Sequence, residues 1–267
     1  MSVKDASNYL YVKIILNDMY QAICSVLPVS SYAFKGGYVL KSILDTNPST
    51  KDLRRTTDLD MDISKEEYYD MIINALIPVG DKWIARGVVS SYKYTKPTER
   101  TSGYFKLYKK PSENVRSFVF CGIDIGLHPL FYGIIQLNNG VNVYSLERMV
   151  SDKLWVMFIG TKKQILHRSK DILDIYLVLR YLTEQHKSLN KQELLKNINM
   201  RIKTNGVSLS NKSNLETLFL SDPKAVYNSM HSLISSVRVA VEFKNDLDIN
   251  SIIKTTIVFI NSVRGLL

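Results

Sequence analysis

Arg54-Arg55-Thr56-Thr57-Asp58-Leu59-Asp60-Met61-Asp62-Ile63 is the stretch on which the fold turns. From Asp58 onward, acidic and apolar residues alternate strictly, which is the period of a strand and not of a helix. A strand over 54–63 turns Asp58, Asp60 and Asp62 to one face and Leu59, Met61 and Ile63 to the other. The apolar set suits burial under helices. The acidic set places like charges side by side, which is unfavourable unless a cation compensates them. Magnesium answers that need, because it takes one or two carboxylates together with substrate phosphates. A solvated edge strand with idle acids is the other reading of the same residues. An EF-hand calcium loop is excluded: its sixth position would be Ile63 where glycine is needed, and its twelfth Tyr69 where glutamate is needed.

Upstream, a short apolar run at 31–34 ends in Lys35-Gly36-Gly37, and 38–44 has the pattern of a helix leaving that turn. Backbone N–H groups of Gly36 and Gly37 at a helix start could cradle a triphosphate, although a plain tight turn fits a glycine pair too. The Walker pattern GxxxxGK[ST] is absent, so this is no P-loop protein. A helix over 5–27, with Leu10, Ile14, Ile15, Met19 and Ile23 at helical spacing, precedes this segment. Residues 45–53 are loop by composition, and 65–76 are helical.

Downstream, 83–94, 103–108, 118–125 and 133–137 read as strands separated by turn residues. Asp124 is a lone charge on an otherwise apolar strand, so it must pair, bind metal or lie at the strand's mouth. After Asn138-Asn139-Gly140 the period becomes helical, at 145–159, 165–184, 191–200, 223–243 and 248–265. The expected fold is α+β, with a sheet domain over 1–144 and a helical domain over 145–267.

Two of these helices carry charge where apolar residues belong. Leu146, Met149, Val150, Lys153, Leu154 and Met157 fall within an arc of about 140°. Lys153 lies near its middle, either snorkelling outward or held inward beside acids or a triphosphate. Asp174 is the single polar residue between 172 and 179, with Asp171 on the same side three residues earlier. A helix that is apolar nearly all round belongs in a core, so Asp174 needs a cation, for which Lys153, Lys170 and Arg168 are candidates. A structural ion pair locking two helices answers that need as well as a catalytic one.

Composition narrows the partners. The chain has 267 residues, 45% of them hydrophobic and 22% charged, which excludes disordered and collagen-like classes. A net charge of +10 favours phosphate-rich partners or acidic surfaces. Two distant cysteines, Cys24 and Cys121, match no zinc spacing and imply reduced thiols. Four scattered histidines without an HExxH make zinc hydrolysis a poor fit. The opening residues lack a charged segment leading into an apolar one, and no apolar run approaches the roughly 20 residues that span a bilayer. The expectation is a soluble, cytoplasmic protein without a membrane partner.

Taken in order, Lys35-Gly36-Gly37-Tyr38-Val39-Leu40, Arg54-x-Thr56-x-Asp58-Leu59-Asp60, Gly122-Ile123-Asp124-Ile125, Ser151-Asp152-Lys153-Leu154 and Arg168-x-Lys170-Asp171-x-x-Asp174 resemble the AbiEii/AbiGii-type nucleotidyltransferase toxins of type IV toxin–antitoxin systems. The resemblance covers roughly residues 34–176. It implies a polymerase-β-like nucleotidyltransferase domain followed by a helical bundle, an NTP substrate, magnesium, and a cognate antitoxin. It also implies roles. Lys35, Gly36, Gly37, Arg54 and Thr56 would bind the nucleotide. Asp58, Asp60 and Asp124 would bind metal. Asp58 and Asp60, with Lys153 on the phosphates and an acid of the Asp171/Asp174 pair, would form the catalytic set. Two departures stand out: Asp152-Lys153 replaces the more usual Glu-Lys, and Tyr38 is bulkier than the usual residue after the glycine pair.

Polymerase-type chemistry uses two metal ions about 4 Å apart to clamp an attacking hydroxyl and a leaving pyrophosphate in line. For the acceptor, 91–111 interleaves Lys93, Lys96, Arg100, Lys106, Lys109 and Lys110 with Tyr92, Tyr94, Tyr104, Phe105 and Tyr108, against one acid, Glu99. Cations for phosphates and rings for bases suit a single-stranded RNA end. A solvated hairpin with an aromatic underside has the same composition. Lys191, Lys196, Arg201, Lys203 and Lys212 add charge in the helical part. With the family's habit of extending tRNA acceptor ends, the expected substrate is tRNA or another RNA. A degenerate fold that only binds RNA or protein, and a small-molecule acceptor, are the alternatives. The net positive charge disfavours a cationic acceptor.

Overall fold

The computed structural model describes residues 3–48, 50, 55–98, 101–110, 116–128, 132–205, 214–235 and 247–267. Two compact units emerge, Met1–Val39 with Thr56–Tyr144, and Leu40–Arg55 with Ser145–Leu267. The fold is α+β, as expected.

The first unit holds helix α1 (Val3–Val26), strand β1 (Tyr32–Lys35), the start of α2 (Gly36–Leu44), β2 (Asp58–Ile63), α3 (Glu67–Ala85), β3 (Ser91–Thr95), β4 (Gly103–Lys109), β5 (Phe118–Leu127), β6 (Ile134–Gln136) and β7 (Asn142–Tyr144). The strands form one seven-stranded mixed sheet in the order β3-β4-β5-β2-β1-β7-β6. β2 runs parallel to β5 and β1 parallel to β7, and the other pairs are antiparallel. Alternation does what the pattern requires: Leu59, Met61, Ile63, Phe105, Leu107, Cys121, Ile123 and Ile125 are completely buried. They share the face covered by α1 and α3.

On α1 the inward stripe is Val12, Ile15, Leu16, Met19 and Ile23, whereas Leu10 and Ile14 are exposed. The real stripe keeps helical spacing but runs through Val12 and Leu16, so the first two expected core residues were on the wrong side. The strand expected over 83–94 is also corrected. α3 continues through Pro78 to Ala85, and the indole N–H of Trp83 donates to Asp18 Oδ2 on α1 at 2.9 Å. Lys82 reaches the same carboxylate at 2.7 Å. These tertiary contacts outweigh the backbone hydrogen bond that a mid-helix proline removes.

The second unit packs α4 (Leu146–Ile159), α5 (Lys162–His167), α6 (Ser169–Glu184), α7 (Lys191–Asn205), α8 (Asn214–Ser221), α9 (Pro223–Ser235) and α10 (Ile249–Arg264). The single helix expected over 165–184 is broken at Arg168, whose φ of −104° and ψ of 23° end α5 and start α6. α8 was not foreseen, and the 236–243 part of the expected helix 223–243 lies outside the described residues. α6 contributes Ile172, Leu173, Ile175, Leu177 and Val178 to the core of this unit. Leu40 and Leu44, from the last turns of α2, join the same cluster. Thr46 and Asn47 tie their loop to α6, the latter donating to Glu184 Oε2 at 3.0 Å. Residues 40–55 therefore belong with the helices, and a single cut after residue 144 does not describe the division.

Cys24 and Cys121 are free thiols, and burial pushes the pKa of both up. Among the described residues no helix is long and apolar enough to cross a membrane. Truncating Leu44 to alanine should cost about 2–5 kcal/mol in denaturant unfolding. A cost no greater than that of an exposed-site substitution would remove this segment from the helical core.

Candidate active site

Strand register builds the first constellation. Across β1, β2 and β5, Lys35, Asp60 and Asp124 are direct partners. One step along the same face, Asp58 of β2 lies beside Gly122 of β5, which lies beside Lys106 of β4. Directly paired residues share a face of the sheet, so the acids of β2, Asp124 and two lysines all stand opposite the apolar face.

The charges are compensated from within. Asp62 is only 1% exposed. It accepts hydrogen bonds from Lys35 Nζ at 2.5 Å and from the Tyr144 hydroxyl at 2.5 Å, with His128 Nε2 4.0 Å away. The third acid of the strand is thus a buried anchor that pins the lysine preceding Gly36. Lys106 Nζ sits 3.1 Å from Asp124 Oδ1. Partial burial by itself lowers the pKa of Lys106, but its hydrogen bond to Asp124 and the charges of Asp124 and Asp58 leave it raised. Asp58 is oriented by its neighbours: Thr57 Oγ1 donates to Asp58 Oδ2 at 3.0 Å, and Thr56 Oγ1 donates to the Asp58 carbonyl at 3.0 Å. Thr56, expected to touch nucleotide, is buried against this backbone. Arg54 lies outside the described residues.

Gly36 begins α2 with φ +70°, the left-handed region that glycine alone adopts without strain. A Cβ there would lie 2.8 Å from Asp60 Cγ, inside van der Waals contact. The first turn of α2 and the Asp60 carboxylate therefore abut, with no room for a side chain between them. The N–H groups of that turn have no intrahelical acceptors and favour anions.

Among the described residues no three His, Cys, Asp or Glu side chains gather into a ligand set. Asp58 and Asp60 on one face beside a helix N-terminus still fit magnesium, which needs few carboxylates and completes its shell with phosphate and water. The Asp124 carboxylate, expected to join them, is paired with Lys106, which reaches it across β5 because Gly122 of that strand has no side chain to keep the lysine away.

The second unit contains a constellation of its own. Lys153 Nζ of α4 lies 3.0 Å from Asp171 Oδ1 and 2.8 Å from Asp174 Oδ2 of α6. Arg168 Nε reaches Asp171 Oδ2 at 2.6 Å. Both acids are at most 1% exposed. Burial opposes the charge on Lys153, but Asp171 and Asp174 outweigh it and hold its pKa above the ordinary lysine value. The inward lysine and its acidic partners, read from helical spacing, form one buried cluster that ties α4 to α6.

The profile of the family described as nucleotidyl transferase AbiEii toxin, of type IV toxin–antitoxin systems, matches residues 19–239. The chain belongs to this family. It is accordingly a nucleotidyltransferase of toxin type, a class that takes an NTP and is paired with a cognate antitoxin. Two solved structures have a similar fold. JHP933 from Helicobacter pylori is 14% identical with a TM-score of 0.55, the match covering 100% of this chain and 94% of that one. A protein from H. pylori described as a candidate nucleotidyltransferase is 14% identical with a TM-score of 0.54, the match covering 100% and 99% of the two chains. No curated protein matches this AbiEii-family sequence.

In the AbiEii chain the basic, aromatic stretch becomes the β3–β4 hairpin. Its rings divide: Tyr92 stacks on buried Phe105 at 5.2 Å between centroids, while Lys93 lies over the Tyr108 ring at 5.7 Å on the opposite face. Lys96 is drawn to Glu66 and Asp70. Thr57, Tyr144 and the Lys106–Asp124 pair were not anticipated as parts of a site. Only strand register brings them to it, apart from Thr57, whose adjacency to Asp58 is visible in sequence.

Gly36→Ala should abolish nucleotide transfer while leaving the helical unit folded, checked by turnover and circular dichroism. Lys153→Met should destabilise by about 3–5 kcal/mol in denaturant titration, because it removes the ammonium that two buried carboxylates share.

Proposed function

We propose that this AbiEii-family chain is a magnesium-dependent enzyme that transfers nucleotides from an NTP to RNA, the 3′ end of tRNA, and so blocks aminoacylation and growth. The observation that carries the reading is the contact of Asp60 with the first turn of α2 at Gly36, with Asp58 on the same face. That arrangement puts anion-seeking N–H groups beside two cation-seeking carboxylates, which is what a metal-bound triphosphate requires.

In this reading Gly36 and Gly37 bind phosphate oxygens through their backbone. Asp58 and Asp60 hold magnesium, Asp58 being fixed in its rotamer by Thr57. When bound, the ion supplies positive charge that stabilises the phosphoryl group in transfer and favours loss of the acceptor hydroxyl proton. Asp62 holds Lys35 and thereby the strand end from which Gly36 departs. In the reaction the 3′-hydroxyl oxygen bonds to the α-phosphorus and releases its proton to solvent, as the bond from that phosphorus to pyrophosphate breaks. Asp124, in register with Asp60, is the third carboxylate for the metal.

Lys153, Asp171 and Asp174 keep the roles the family pattern implies, Lys153 toward nucleotide phosphates and an acid of the pair in catalysis. Asp171→Asn separates this from a purely structural lock, since the Lys153–Asp174 pair survives it. A protein that melts near the wild-type temperature but turns over about a hundredfold more slowly supports the catalytic role. Unchanged turnover would leave the lock alone.

The RNA assignment rests on the net charge of +10 and on exposed Lys93, Lys96 and Lys110 at the β3–β4 hairpin. Incubated with labelled NTPs, magnesium and total tRNA, the protein should label tRNA ends. Asp58→Ala should reduce labelling by at least about a hundredfold. If about four cations contact phosphate, tRNA affinity should fall roughly 50-fold between about 50 and 200 mM salt. Absence of incorporation with every NTP would overturn the enzyme reading, and tRNA bound without turnover would identify a binding module.

A further inference from the structure

Lys106 is a cation of the sheet's polar face that the reading above does not use. It comes from β4, two strands away from β2, and its path is set by glycine. Lys106 and Asp58 both pair with Gly122, one from each side. A Cβ on Gly122 would lie 2.9 Å from Lys106 Cγ and 2.6 Å from the Phe105 carbonyl oxygen. The bare backbone thus lets the lysine lie across β5 and bring its ammonium to Asp124 Oδ1 at 3.1 Å. Tyr104, the β4 partner of Asp124, supports it from beneath, with Nζ 5.4 Å from the ring centroid.

A flexible ammonium is a poor permanent neighbour for a metal ligand. Both carry positive charge, and a carboxylate oxygen engaged by one is less available to the other. The pair is only partly buried, with side-chain exposures of 25% and 39%, so exchange requires no unfolding.

We propose that Lys106 is a positioning residue that serves as a resident counter-ion: it neutralises and holds Asp124 until a divalent ion binds, then gives the carboxylate up and swings away over Gly122. This rests on the proposed metal site at Asp58 and Asp60. Lys106 therefore competes with the ion, and its charge raises the divalent concentration needed to fill the site.

Mn2+ alone, titrated by electron paramagnetic resonance without nucleotide, tests this on the full chain. Lys106→Met should bind Mn2+ roughly threefold tighter than wild type, the scale of a partly exposed ion pair. Lys106→Arg, which keeps the cation, should resemble wild type. The gain should vanish in an Asp124→Asn background, since the lysine then has no carboxylate to withhold. Lys106→Gln serves if the methionine variant does not fold by circular dichroism. Mn2+ binding that depends on Asp58 but is unchanged or weakened in the neutral Lys106 variants would overturn the counter-ion role alone. Absence of Asp58-dependent Mn2+ binding in every variant would overturn the metal site and this role with it.

Discussion

Mutual repulsion among carboxylates on one face of β2 and β5 is the constraint from which the rest of the first unit follows. A strand that alternates acid and apolar residues can be buried on one side only if its other side is neutralised. The sheet does this in three different ways. Asp62 is sealed off with a lysine and a tyrosine hydroxyl. Asp124 receives a lysine laid across a glycine. Asp60 faces the start of a helix whose N–H groups carry partial positive charge. Each solution places a different demand on sequence, and together they account for Lys35, Gly36, Gly122 and Tyr144.

The helical unit solves a smaller version of the same problem. Two acids on α6 sit in an otherwise apolar surface and share one lysine from α4. Such a cluster is weak as a source of net stability but strict about its members, because losing one partner leaves the others stranded in a low dielectric. It specifies which face of α4 meets which face of α6, something that leucine and isoleucine packing alone leaves loose.

Much of this was legible in the sequence because it depends on short periods. Two-residue alternation located β2 and its acidic face, and 3.6-residue spacing turned Lys153, Asp171 and Asp174 inward. What was not legible depends on pairing between distant segments. Nothing local says that Gly122 would lie between Asp58 and Lys106, or that Tyr144 would cap Asp62. The extension of α3 past Pro78 was missed for a related reason: propensity ends the helix there, but Asp18, 65 positions from Trp83, holds the next turns in place. The placement of 40–55 with the helices is of the same kind, since Leu40 and Leu44 have no sequence mark that separates a sheet-packing leucine from a helix-packing one.

Strand β3 ends the sheet, and its outer backbone groups have no further strand to pair with in the order of the described residues. Such an open border invites another chain to add itself, and lysine followed by proline is a common deterrent. Lys93 within the strand, and Lys96-Pro97 just after it, supply that deterrent. The same ammonium groups thus keep the molecule from stacking on its own copies, and variants that strip them to weaken nucleic-acid affinity remove a safeguard of solubility at the same stroke.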